Sequence, residues 1–110
     1  MRNDMAKKIS FTSKFVEKLQ NGFDKVGMYG FSYNCEGLGG VSTSMRSDRF
    51  RCEGVDGKFL IIYAEEENTW IEIPTDSAIV RENNDKILTF TFPNKSKLSL
   101  MFNDSVDSFI

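Results

Sequence analysis

The sequence predicts an α+β fold: an N-terminal helix packed on a curved antiparallel meander of five to six strands, with barrel-like closure as one option. Three observations carry it. Apolar residues between positions 15 and 26 recur at helical spacing. From position 29 the apolar period drops to two. The only prolines, Pro74 and Pro93, stand between periodic segments rather than inside them.

Phe15, Val16, Leu19, Phe23 and Val26 put one apolar stripe on one helix face. Thr12 or Ser13 is placed to accept a backbone N–H bond at its start. A glycine inside a helix costs roughly 1 kcal/mol relative to alanine. The helix is therefore expected to stop at Gly22, with Gly27 as the alternative. Ile9 and Phe11 ahead of it suit a short strand or an apolar lead-in.

Tyr29, Phe31, Tyr33 and Cys35 alternate as a half-buried strand, and Val41, Thr43 and Met45 as another. Phe50 and Cys52 have the opposite parity, which a turn or bulge near Ser47-Asp48 would absorb. Residues 59–64 are apolar on both faces and read as a central strand. In 69–73, Ile71 and Ile73 share one face, and Trp70 and Glu72 the other. Residues 78–82 make another short strand, and Asn83-Asn84-Asp85 a turn.

The last two strands, 86–92 and 97–102, are the clearest. Setting Leu88, Phe90 and Phe92 opposite Phe102, Leu100 and Leu98 leaves a five-residue loop, 93–97. Val106, Phe109 and Ile110 follow at helical spacing, in a segment too short to be a helix alone. The 110 residues suit a single domain, 1–110, with 1–8 and 103–110 as the flexible ends.

Composition narrows the function. No apolar run approaches the ~20 residues that span a bilayer, so no membrane partner is expected. The charged first residues lack the apolar core of a signal peptide, which makes a cytoplasmic location the default. Cys35 and Cys52 are expected as free thiols. Histidine is absent, which removes the commonest general base and metal ligand. No catalytic residue, metal or cofactor is assigned.

The stretch Gly37-Leu38-Gly39-Gly40 raises the question of a phosphate loop. A P-loop needs a lysine and a following helix, and a dinucleotide fingerprint needs a glycine where Ser42 stands. A hairpin connection is the better reading. Its centre puts Cys35 opposite about residue 42, and so argues against a Cys35–Cys52 disulfide.

Charge is uneven. Residues 1–58 carry ten basic and seven acidic groups, net +3, and residues 59–110 carry four and nine, net −5. Such a field steers an oppositely charged partner. If Trp70 and Glu72 face outward, and Val80 aligns with Leu88 inward, then Ile79 and Arg81 also face outward, together with Ile87 and Met101. With Glu65, Glu66 and Glu67 alongside, Trp70, Glu72, Ile79 and Arg81 form an apolar patch rimmed by charge, the anatomy of a partner site.

The expectation is a small non-catalytic protein-binding domain of the inhibitor, immunity or regulatory kind, such as a phage-encoded antagonist. It would engage a basic protein partner through an acidic, Trp-containing sheet face. A homodimer through an edge strand or the Trp70 face is a further partner reading. Two alternatives compete. One is a ligand pocket between helix and sheet, lined by Phe15, Phe23, Tyr29, Phe31 and Tyr33. The other is nucleic-acid binding through Arg46, Arg49 and Arg51, which the sequence pI of about 5.1 disfavours.

Overall fold

The computed structural model describes residues 7–35, 41–47, 49–56, 58–66, 68–75, 79–93 and 95–108. In chain order come β1 (Lys7–Ile9), α1 (Ser13–Gly22), a π-helical turn (Phe23–Gly27), β2 (Met28–Cys35) and β3 (Val41–Arg46). Then follow β4 (Phe50–Val55), β5 (Phe59–Ala64), β6 (Thr69–Pro74), β7 (Ile79–Asn84), β8 (Ile87–Thr91) and β9 (Lys97–Phe102). A 3-10 turn, Val106–Ser108, closes the described chain.

The α+β antiparallel class holds. The described strands number nine and divide into two sheets, ordered β1-β7-β8-β9-β2-β3 and β4-β5-β6, and they form no closed barrel. The chain changes sheet between Arg46 and Phe50, which explains the parity break there as a crossing between layers. Inner faces of the two layers meet in one buried cluster, with Phe31 of β2 against Phe50 of β4 at 5.8 Å between ring centroids.

The helix closes one side of this sandwich. Thr12 caps it, its Oγ1 accepting the Phe15 N–H at 3.2 Å. Val16 packs over β4 so closely that a Cβ on Gly54 would stand 3.2 Å from Val16 Cγ2. On the other layer, Phe11 and Phe15 stack on Phe90, and Phe23 on Phe102. Gly22 does not end the helical path. It runs on as the π turn to Gly27, whose φ of +86° breaks it and whose carbonyl accepts the Asn103 N–H.

Several expected registers shift. A bulge between Met28 and Gly30 buries Met28 and turns Tyr29 outward, out of line with Phe31 and Tyr33. Cys35 pairs with Val41, one residue short of expectation, and the glycine-rich loop joining them lies outside the described residues. Leu88 pairs with Leu100 and Phe90 with Leu98, two residues away from the expected register but with the same faces buried. The cause is a shorter turn: Phe92 N–H donates to the Ser96 carbonyl, and Lys95 takes the left-handed φ of 71°. Residues 103–108 are tied in rather than loose. Val106 is fully buried and donates its N–H to the Asp85 carbonyl at 2.8 Å. At the other end, β1 pairs with β7. Positions 1–6 and 109–110 lie outside the described residues.

Candidate functional site

The outer face of β4-β5-β6 carries the strongest candidate. Register places its side chains in rows across the sheet: Arg51, Tyr63 and Trp70, then Glu53, Ile61 and Glu72, then Val55, Phe59 and Pro74. Alternation sends Leu60, Ile62, Ala64 and Ile73 inward, and leaves these rows toward solvent. Trp70 is 56% exposed and Phe59 41%, while Ile73 is sealed and Ile71 half-buried, as the phasing of β6 predicts.

Local contacts hold this face in shape. Arg51 lies over the Tyr63 ring, with Cζ 4.1 Å from the centroid. Its Nε donates to Glu65 Oε2 at 3.3 Å, and its Nη1 stands 3.7 Å from Glu53 Oε1. Tyr63 donates its hydroxyl to the same Glu53 oxygen at 3.2 Å and tilts against Trp70 at 6.3 Å. Exposed ion pairs of this kind contribute at most about 1 kcal/mol each. Their effect is positional: they fix an Arg–Tyr–Trp row beside a depression of about 250 Å³ lined by Arg51, Tyr63, Glu65, Thr69 and Trp70. Glu53, Glu65, Glu66 and Glu72 outnumber Arg51, so the rim is acidic. Glu67 lies outside the described residues.

Trp70 and Arg81 do not share a surface. β6 and β7 belong to different sheets. Arg81 pairs with Phe90, whose side chain is fully buried, so it stands on the inner face of its sheet rather than the outer one. Val80 pairs with Thr91, and Asn83, not Val80, stands opposite Leu88. The two-residue turn Asp85-Lys86, shorter than the turn read from Asn83-Asn84-Asp85, sets this register. Arg81 Nε is buried without a hydrogen-bond partner, and burial lowers the guanidinium's hold on its proton. Ile79 pairs with Ile9 of β1, and its side chain lies outside the described set. Ile87 and Met101 pair on the outer face of the six-stranded sheet, away from Trp70.

The arginines divide in two. Arg46, on β3, sits over Tyr29 at 5.8 Å, and Arg49, in the crossing between sheets, lines the same depression as Tyr29. Arg51 stands apart from them on the outer face of β4, engaged by two carboxylates. The aromatic residues proposed to line a pocket are likewise dispersed: Phe31 meets Phe50, Tyr33 meets Phe92, Phe23 meets Phe102, Phe15 meets Phe90 and Tyr29 turns outward. Among the described residues no single cavity gathers all five: Phe23 and Tyr29 share a depression of about 450 Å³, and Phe15 lines a separate one of about 690 Å³ beside α1. Cys35 and Cys52 are free, buried thiols.

Phe59, Ile61 and Tyr63 join the candidate face although the sequence marks them as core. The doubly apolar pattern of 59–64 fits a strand covered on both sides, but this three-stranded sheet is covered on one. The signal was present in the neighbours: Arg51, Glu53, Trp70 and Glu72 are poor companions for a second buried face.

Set against models of known families, curated proteins and solved structures, the chain matches none.

Proposed function

We propose that this protein is a small non-catalytic binding domain that engages a basic protein partner through the outer face of β4-β5-β6, as an inhibitor or regulator does. The observation that carries this reading is the solvent-facing row Arg51–Tyr63–Trp70 next to Phe59 and Ile61, rimmed by Glu53, Glu65, Glu66 and Glu72. Exposed aromatic surface is what desolvates on docking, and Trp, Tyr and Arg are the residues that most often dominate binding energy. An acidic rim selects a basic partner and speeds its encounter.

The test uses a partner captured by the full chain from its native host, identified and purified. Trp70→Ala is expected to weaken its binding at least about tenfold, and the pair Glu65→Lys and Glu72→Lys to do the same. Affinity falls as salt rises. A partner whose binding ignores all three substitutions docks elsewhere, and the reading fails.

A further inference from the structure

We propose that the chain also self-associates through the free edge of β6, as an antiparallel β6–β6 pair about a twofold axis at Ile71. The hydrogen-bond phase of the three-stranded sheet is fixed at both of its edges. Thr75 N–H donates to the Lys58 carbonyl at 2.6 Å, so at position 75 the main chain faces β5. Alternation along an antiparallel strand then turns Ile73, Ile71 and Thr69 toward β5, and Trp70, Glu72 and Pro74 away from it. At the opposite edge the same phase sends the Cys52 N–H out of the sheet, where Gln20 Oε1 receives it at 2.8 Å. Pro74, which has no N–H, stands at one of the outward positions of β6.

The edges of the two sheets are managed differently. Helix α1 covers β4, and β1 has only three residues. β3 has a polar sequence, with Thr43, Ser44 and Arg46 among its described side chains. β6 is six residues long, contains Trp70, Ile71 and Ile73, and has no lysine. Among the described residues nothing bonds to the main chain of Trp70 or Glu72 on its outward side. Such an edge is a template for another strand.

Self-pairing at Ile71 uses everything this edge offers. Trp70 of one copy stands opposite Glu72 of the other, and each residue gives one donor and one acceptor, which makes four main-chain bonds across the axis. Half-buried Ile71 meets its own copy on the inner side and completes its burial. The neighbouring registers do worse. An axis at Glu72 sets carboxylate against carboxylate and Trp70 against Pro74. An axis at Trp70 sets Glu72 against Asn68, whose N–H already donates to Glu65. The dimer is a continuous six-stranded sheet with two acidic aromatic faces side by side.

Sedimentation velocity over an about hundredfold dilution series tests this. The wild-type chain is expected to dimerise, more tightly at about 0.5 M salt than at 0.05 M, because two acidic faces are brought together. Binding of a basic partner has the opposite salt dependence, so failure of either idea leaves the other standing. Glu72→Pro removes a donor that faces away from β5, and is expected to weaken dimerisation at least about tenfold with unchanged circular dichroism. A chain that is monomeric throughout the series, or a folded Glu72→Pro variant that dimerises like wild type, overturns the proposal. Should that variant not fold, Ile71→Cys decides. The twofold places position 71 against itself, so air oxidation gives a dimer whose disulfide maps to 71 by mass spectrometry, whereas Trp70→Cys gives none. No link at 71, or equal linking at 70, overturns the register.

Discussion

The side-chain carbonyl of Gln20 accepts the main-chain N–H of Cys52 at 2.8 Å, so a helix residue takes the place beside β4 that another strand would occupy. The same side chain donates to Asp24 Oδ1 at 3.1 Å. Gln20 thus ties α1, the π turn and the three-stranded sheet together. Gln20→Ala leaves the part-buried Cys52 N–H unpaired and is expected to cost about 1–3 kcal/mol in urea unfolding. Gln20→Glu keeps the acceptor but sets a carboxylate against Asp24, so it is expected to cost less than the alanine variant only when combined with Asp24→Asn. Equal stability of the alanine variant and wild type would show that water replaces the side chain there.

The thiol of Cys52 is pushed from its usual 9.0 up to about 12, first by burial and then by the nearby charge of Asp24, with Arg51 opposing. Below pH 9 both folded and unfolded chains hold the proton, and no stability is lost through this group. Between about pH 9 and 12 only the unfolded chain releases it, so stability falls with rising pH by up to about 1.4 kcal/mol per unit. Cys52→Ala is expected to flatten that alkaline slope in denaturant titrations. At pH 8 the native thiol is expected to resist alkylation until the chain unfolds.

Leu100 and Trp70 should separate packing from docking. Leu100 is fully buried between the layers, and Leu100→Ala is expected to cost about 2–5 kcal/mol by thermal or chemical unfolding. Trp70 is 56% exposed, and Trp70→Ala is expected to cost less than about 1 kcal/mol. A large loss at Trp70 would assign the indole to the fold rather than to a surface.

Lys95 adopts a φ of 71° in the turn between β8 and β9. Glycine reaches that conformation without the clash of a Cβ. Lys95→Gly is therefore expected to raise stability by up to about 1 kcal/mol, and Lys95→Val to lower it, in matched melting curves.

The local physics of this chain is legible in its sequence, and its long-range pairing is not. Phe15, Val16, Leu19 and Phe23 mark the helix, because helical period depends on near neighbours. Ile73 in and Trp70 out follow from strand alternation alone. Arg81 shows the limit. Its face depends on whether the β7–β8 turn has two residues or three, and both readings of Asn83-Asn84-Asp85-Lys86 suit turn chemistry. Lys95 shows it again, since lysine does not announce a left-handed turn. The separation of Trp70 from Arg81 arises from a change of sheet between β6 and β7, which no local pattern encodes.

The pairing of β2 with β9 joins Phe31 to Leu100 across most of the chain. β2, which carries the edge strand β3, therefore lacks its other neighbour until β9 has left the ribosome. Folding must close this long loop before the contacts that reward it form, which places the protein among the slower small domains. The β4-β5-β6 hairpins, built from adjacent segments, are free to form first.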